Sequence, residues 1–209
     1  MSVSIVVVTG ASGAGKTATV EALDALALPG VRCFHFDSIG VPTAEEMERD
    51  HGGAERWQAW ATNQWLARLA GLDGIRVAVL DAQTRPSTVF ASPGAGAAWG
   101  AHIVLLDCSP AVRTARLHGP RGQGQLATAQ MDSWAAYLRG QADALGLVII
   151  DTSGLTVSEA AHQLETFVRR LTDFDAPSLT NRCSWQATCG FARGSSVLLF
   201  DSLAAELGR

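Results

Sequence analysis

The sequence predicts a three-layer α/β fold, in which helices cover both faces of a mainly parallel, five-stranded sheet. Short apolar runs alternate along the chain with longer segments whose apolar residues recur at helical spacing. The first run, residues 4–9, is continuously apolar and β-branched, which is typical of a strand buried on both faces. A chain of 209 residues with 47% apolar content is long enough to build one such core.

Five strands are predicted, over residues 4–9, 31–36, 75–80, 102–106 and 147–150. Four of the five end on an aspartate, namely Asp37, Asp81, Asp107 and Asp151. Since ligands bind at the carboxyl ends of parallel strands, these positions are the first to examine for a functional site.

Helices are predicted from Lys16 to the residues before Pro29, and over residues 43–72, 110–117, about 127–145 and 158–171. Thr156 or Ser158 is expected to cap the last helix. Residues 118–125 form a glycine-rich loop between two helices. Residues 172–209 have sparse charge and no single period, so a strand and helix, an oligomerisation arm and a loose extension all stay open.

The turn after the first strand matches the pattern G-x-x-x-x-G-K-[ST], from Gly10 to Thr17. Lys16 is the only lysine of the chain, beside 15 arginines. A strand, a glycine-rich turn and a helix in this order are the context of a phosphate-binding P-loop, whose backbone N–H groups and helix dipole bind nucleotide phosphates. The sequence therefore predicts an ATP site formed by Gly10, Ser12, Gly13, Ala14, Gly15, Lys16, Thr17 and Ala18.

Two oxygen ligands for Mg²⁺ are predicted beside this loop. The hydroxyl of Thr17 follows the lysine directly, and Asp81 ends the third strand. A carboxylate at that place can hold the water shell of a magnesium ion, although it could instead cap the next turn.

Three further residues are candidates for work on a second substrate. Asp37 could accept the proton of an attacking hydroxyl, or it could cap the next segment. Arg85 could bind an anionic group of the acceptor, or it could be a solvated surface residue. Trp57 could stack on the acceptor, although packing in the core is the commoner use of a tryptophan.

Arginines cluster around the glycine-rich loop at 118–125. Arg113 and Arg116 share one helical face, and Arg121 lies between glycines. Phosphoryl transfer spreads negative charge that arginines on a closing lid can stabilise, so Arg116 and Arg121 are predicted to be catalytic. A merely solvated basic face is the alternative for Arg113 and Arg116.

Together these residues carry a resemblance to the small P-loop kinases, which include adenylate kinase, gluconate kinase and chloramphenicol phosphotransferase. Residues 80–85, L-D-A-Q-T-R, are similar to the L-D-G-F-P-R segment of adenylate kinases, and residues 116–121 resemble the entry to their lid. Asp37-Ser38 resembles the catalytic aspartate segment of the chloramphenicol enzyme. The resemblance covers residues 1–171 and implies acceptor-binding helices at about 43–72 and a lid at about 118–125.

The departures from the adenylate kinase pattern argue against AMP as the acceptor, and Asp37 favours a hydroxyl acceptor. Gln83-Thr84 replaces Phe-Pro, and Pro120 replaces the second lid arginine. The expected activity is ATP- and Mg²⁺-dependent transfer of a phosphoryl group to a small molecule. A nucleoside monophosphate kinase, a non-catalytic ATP-binding regulator and a polynucleotide-end kinase stay open as alternatives, and so does the oligomeric state.

Composition limits the other classes. A net charge of −4 and a pI near 5.7 give no electrostatic reason to expect nucleic acid as a partner. A conventional GTPase needs an [NT]-K-x-D segment, which a chain with one lysine at position 16 lacks. Cys183 and Cys189 have no second cysteine pair, which argues against zinc. No secretory signal and no membrane span is recognised, so a cytoplasmic protein is expected.

Overall fold

The computed structural model of the protein describes residues 3–92, 100–119 and 122–174. The strands are β1 (Ser4–Thr9), β2 (Val31–His35), β3 (Val77–Asp81), β4 (Ala101–Asp107) and β5 (Val148–Asp151). The helices are α1 (Lys16–Asp24), α2 (Ala44–His51), α3 (Ala54–Ala70), α4 (Pro86–Ala91), α5 (Pro110–Leu117), α6 (Ala129–Leu145) and α7 (Val157–Phe174). Short 3-10 turns occupy Phe36–Ile39 and Gly124–Leu126.

The sheet has the strand order β2-β3-β1-β4-β5, and all four pairings are parallel. The predicted fold class is therefore confirmed. Because β1 lies at the centre between β3 and β4, the turn that follows β1 stands at the middle of the sheet's carboxyl edge. The ends of β3 and β4 flank that turn, which is the usual place of a ligand site in such folds.

The core has one apolar layer on each face of the sheet, because side chains alternate along a strand. On one face, Ile5 and Val7 of β1 pack with Trp65 and Leu66 of α3. On the other face, Val6 and Val8 share a cluster with residues of α1 and α7, such as Leu23 and Leu164. Both layers are buried, so β1 and the turn after it rest on a rigid support.

Two differences from the predicted elements have local causes, and one alternative left open by the sequence is decided. The helix expected over 43–72 is two helices, because Gly52 and Gly53 adopt φ values of +72° and +119° that end α2. Helix α4 was not predicted; it is six residues long and begins at Pro86, a residue well suited to the first helical position. Thr156 rather than Ser158 caps α7, since its hydroxyl accepts the Glu159 N–H while Glu159 accepts the Thr156 N–H.

Several predictions fall outside the described residues. Arg121 and Pro120 of the expected lid do so, as does the extension beyond residue 174. Helix α7 runs to Phe174, three residues past the predicted end of the kinase-like region at 171. Among the described helices, none is long and apolar enough to cross a membrane.

Candidate active site

A cleft of about 720 Å³ opens at the carboxyl edge of the sheet, and the turn after β1 lines it from Ser12 onwards. Of the eight predicted loop residues, all but Gly10 line this cleft. Gly10 lies beneath it, where a Cβ atom would come within 2.2 Å of the Leu106 carbonyl oxygen. A side chain at position 10 would therefore push the loop away from β4.

The loop presents uncapped backbone donors to the cleft. Helix α1 begins at Lys16, its N-cap is Gly15, and no side chain caps it. The first N–H groups of a helix lack intrahelical partners, and the helix dipole adds positive potential at this end. Gly13 and Gly15 have φ values of +84° and +93°, a conformation that suits glycine and bends the chain around the cleft. This arrangement fits an anion such as a polyphosphate.

Lys16 contributes the cationic side chain of the loop. Its Nζ donates to the Ala11 carbonyl at 3.3 Å, so the ammonium folds back along the loop. Burial lowers the pKa of Lys16 below its ordinary value, whereas the nearby carboxylates of Asp81 and Asp37 act in the opposite direction. A bound phosphate would supply the negative charge that this desolvated ammonium lacks.

Thr17 and Asp81 form a pair of oxygen ligands beside the lysine. The Thr17 hydroxyl donates to Asp81 Oδ2 at 2.7 Å, and Asp81 is 8% exposed. The same oxygen lies 3.4 Å from Nδ1 of His35 at the end of β2. A hydroxyl and a carboxylate in this position suit Mg²⁺, which prefers oxygen ligands and keeps several waters. Within the described residues no cluster of three or more acidic, His or Cys residues is built to hold a metal by itself.

Asp37 lies on another wall of the same cleft. It follows β2 within the 3-10 turn of Phe36–Ile39, and its charge partly offsets the lowering of the Lys16 pKa by burial. The N-cap of this turn is His35, and no side chain caps it. Asp37 is exposed, so its carboxylate is accessible to a molecule in the cleft.

The two arginines of α5 have separate surroundings. Arg116 lines the cleft and donates to the carbonyls of Gly13, Ala14 and Thr152 and to the Thr152 hydroxyl. Arg113 is 3% exposed, forms an ion pair with Asp132 and donates to the Cys108 carbonyl at 2.8 Å. Arg113 is therefore a structural residue, which neither of the sequence interpretations anticipated.

Arg85 and Trp57 do not line this cleft within the described part of the chain. The Arg85 guanidinium stacks over the Trp134 ring at 5.1 Å, and its Nη1 lies 3.4 Å from oxygens of both Gln58 and Glu55. Trp57 is 7% exposed and packs edge-on against Phe36, with ring centroids 6.0 Å apart. The structure thus favours the packing alternative for Trp57 over stacking on an acceptor.

Among the cleft residues that were not predicted from the sequence, two form hydrogen bonds with the phosphate loop. Gln83 follows β3, and its Oε1 accepts a hydrogen bond from the Ser12 hydroxyl at 3.1 Å. Gln83 belongs to the segment that resembles adenylate kinases. The replacement of their phenylalanine by a polar residue was the sequence feature that could have marked Gln83 as a cleft residue. Thr152 follows β5, and its buried hydroxyl donates to the Ala14 carbonyl of the loop. The only signal for Thr152 was its place after a strand that ends on aspartate.

No protein-family profile matches this sequence, and no curated protein matches it significantly. Solved structures do resemble it. A gluconokinase from Sinorhizobium meliloti 1021 is 19% identical, with 82% of this chain and 94% of that chain covered and a TM-score of 0.55. The tunicamycin resistance protein of Deinococcus radiodurans is 18% identical, with 79% and 95% covered and a TM-score of 0.54.

A sugar kinase from Janibacter sp. HTCC2649 gives the same result, with 16% identity, coverage of 80% of this chain and 95% of that chain, and a TM-score of 0.51. Structural similarity at this level of sequence identity shows a shared fold and nothing about a shared substrate. The chain therefore has the α/β fold of the small P-loop kinases, as the sequence resemblance predicted.

Proposed function

We propose that this protein is an ATP-dependent phosphotransferase that moves the γ-phosphate to a hydroxyl group of a small molecule. One observation carries the proposal. A phosphate loop with its lysine, a threonine–aspartate pair suited to Mg²⁺ and an accessible carboxylate all line a single cleft. A nucleotide-binding protein without catalysis needs the first two features but has no use for the third.

Each loop residue has a defined task in this proposal. The backbone N–H groups of residues 13–17 bind the phosphate oxygens, and Lys16 reaches the outermost phosphates. Thr17 and Asp81 hold Mg²⁺ through the hydroxyl and through the carboxylate, directly or through water. An ion held there would supply positive charge that offsets the negative charge of the phosphates during transfer.

Asp37 acts on the acceptor. Its exposed carboxylate accepts the hydrogen bond of the attacking hydroxyl, orients it and takes its proton as the new bond forms. Arg116 places positive charge beside the loop, and Arg121 brings a second guanidinium from the lid segment at 118–125. The acceptor is proposed to lie towards α2 and α3, as the resemblance implies. Arg85 lies outside the cleft and would have to exchange its contacts with Glu55 and Gln58 for an anionic group of the acceptor.

A coupled assay of ATP consumption tests the proposal. The wild type is screened with Mg²⁺ against nucleosides, nucleotides, sugars, aminoglycosides and phenicols. Lys16→Ala should abolish acceptor-stimulated turnover, whereas Arg170→Ala, which removes an exposed charge on α7, should leave it unchanged. Undiminished turnover in Lys16→Ala would remove the loop from the mechanism.

The screen also separates the alternatives. A wild type that binds ATP without turnover on any acceptor would be a regulator, and turnover confined to nucleoside monophosphates would make the protein a nucleotide kinase. Arg121→Ala should lower kcat more than it weakens ATP binding, because a lid arginine acts in the transition state. The reverse pattern would contradict that role.

A further inference from the structure

Thr152 joins three other segments of the protein at the back of the phosphate loop. Thr152 is 2% exposed, and its N–H donates to the Asp107 carbonyl at 2.8 Å. Its hydroxyl lies 2.9 Å from the Ala14 carbonyl oxygen and 3.1 Å from that of Asp107, and the single hydroxyl hydrogen serves both. Arg116 donates to the Thr152 hydroxyl at 2.9 Å and to its carbonyl at 2.7 Å. Every polar group of Thr152 is therefore bonded.

The Ala14 carbonyl is the important partner among these. In a trans peptide the C=O and the N–H of the next residue point in opposite directions. The Ala14 carbonyl points to the buried Thr152 hydroxyl and so into the protein, which turns the Gly15 N–H the opposite way, towards the cleft that Gly15 lines. The orientation of this one peptide decides whether a donor or an acceptor faces a bound phosphate.

Local sterics do not fix that peptide. Gly15 has no Cβ, and its φ of +93° is one of many values open to glycine. Within the described residues, a Cβ built on Gly15 would meet only Arg116 Nη1, at 3.7 Å, so packing is loose there. The peptide between Ala14 and Gly15 is therefore held mainly by what its carbonyl bonds to.

We propose that Thr152 is a positioning residue of the phosphate loop, which holds the Ala14 carbonyl away from the cleft and so presents the Gly15 N–H to nucleotide phosphate. The proposal rests on the proposed function only in requiring that the cleft binds a nucleoside di- or triphosphate. It does not depend on the acceptor or on phosphoryl transfer. Arg116 supports the same arrangement, since its Nη1 lies 3.4 Å from the Ala14 carbonyl oxygen.

The expected effect follows from the bond that is lost. A hydrogen bond from an N–H to a charged group is worth enough to change affinity by about tenfold or more. Without the Thr152 hydroxyl, the Ala14 carbonyl keeps only the longer bond from Arg116. The Gly15 peptide would then spend part of its time with its oxygen towards the cleft, where it repels phosphate.

The test measures the affinity for Mg·ADP by calorimetry and for adenosine by an NMR titration. Thr152→Val removes the hydroxyl at nearly constant volume, and Thr152→Ser keeps it. Thr62→Val is the matched control, because Thr62 is another buried threonine (1% exposed), and its hydroxyl bonds to the Gln58 carbonyl and the Thr84 hydroxyl rather than to a residue of the loop. Thermal unfolding of every variant confirms that it is folded.

Thr152→Val should bind Mg·ADP about tenfold or more weakly than the wild type, with its affinity for adenosine unchanged. For Thr152→Ser and Thr62→Val, the affinities for Mg·ADP and for adenosine should both lie within about threefold of the wild-type values. A merely structural threonine would lower the unfolding temperature without this selective loss. Should Thr152→Val not fold, Thr152→Ala removes the same hydroxyl without placing a methyl group against Arg116 and gives the same comparison.

Two results would overturn the inference: unchanged Mg·ADP affinity in the folded variant, or equal losses for Mg·ADP and adenosine, which would mean a general collapse of the cleft. A wild type that fails to bind Mg·ADP would overturn both the inference and the proposed function. A wild type that binds Mg·ADP yet transfers no phosphoryl group would refute only the proposed function.

Discussion

The loop glycines give the sharpest prediction on stability, because two of them differ in what surrounds them. Gly13 and Gly15 have similar φ values, +84° and +93°. A Cβ on Gly13 would lie 2.8 Å from Arg113 Cγ and 3.1 Å from Leu117 Cγ. Among the described residues, a Cβ on Gly15 would have only Arg116 Nη1 within 4 Å, at 3.7 Å. The substitutions Gly13→Ala and Gly15→Ala therefore share a backbone penalty but differ in steric cost.

The magnitude follows from these contacts. A non-glycine residue in the left-handed region costs about 1–2 kcal/mol, and both variants carry this penalty. Gly13→Ala adds overpacking of about 1–3 kcal/mol. Arg113 cannot easily move aside, because it is buried and tied to Asp132 and to the Cys108 carbonyl. We expect Gly13→Ala to lose about 2–5 kcal/mol of unfolding free energy and Gly15→Ala about 1–2 kcal/mol.

Urea unfolding followed by tryptophan fluorescence measures both values, since Trp65 is buried in the core. Gly146→Ala is the control, because Gly146 is left-handed like Gly15, with φ +62° and ψ +34°, and nothing among the described residues lies within 4 Å of a Cβ built on it. It should resemble Gly15→Ala. If Gly13→Ala and Gly15→Ala were equally stable, the packing of α5 against the loop would not be as described, and the reasoning on Arg113 would fail with it.

Three further predictions concern the cleft. Lys16 is the only lysine, so ¹³C-labelled lysine gives a single side-chain Cε signal in NMR spectra. A pH titration of that signal should report a Lys16 pKa below 10.5, and a value at or above 10.5 would contradict the burial of the ammonium. Because bound phosphate favours the charged form of Lys16, ATP affinity should fall as the pH rises above the Lys16 pKa of the free protein. Calorimetry should then show proton uptake on binding, and an ATP affinity independent of pH up to 10.5 would refute this. Asp37→Asn should lower kcat by about 100-fold with ATP affinity unchanged in steady-state assays, and a loss below about threefold would remove Asp37 as the base.

Much of the nucleotide side could be predicted from the sequence because its signals are local. The turn from Gly10 to Thr17 is contiguous, and its flanking strand and helix have clear periodicity. Asp81 was also within reach, because strands that end on aspartate in a parallel sheet place those carboxylates along one edge. The structure adds what spacing could not give, namely that Asp81 meets the Thr17 hydroxyl at 2.7 Å.

The residues that were missed depend on contacts between distant parts of the chain. Thr152 bonds to Ala14 across 138 positions, and no periodicity or motif links the two. Trp57 shows the complementary problem. Its helix has apolar residues on more than one face, so spacing alone did not tell whether the ring points to the core or to the cleft. The structure shows that the ring is buried and packs against Phe36 in the core.

The arginines of α5 show most clearly why local pattern leaves function open. Arg113 and Arg116 are one turn apart, and the sequence treats them alike. Arg113 meets the carboxylates of Asp132 and Asp107, so its charge is compensated inside the protein. Arg116 is held by four neutral oxygens, and within the described residues it has no salt bridge. Its charge therefore remains available beside the loop, because neutral acceptors fix the position of a guanidinium without cancelling its field.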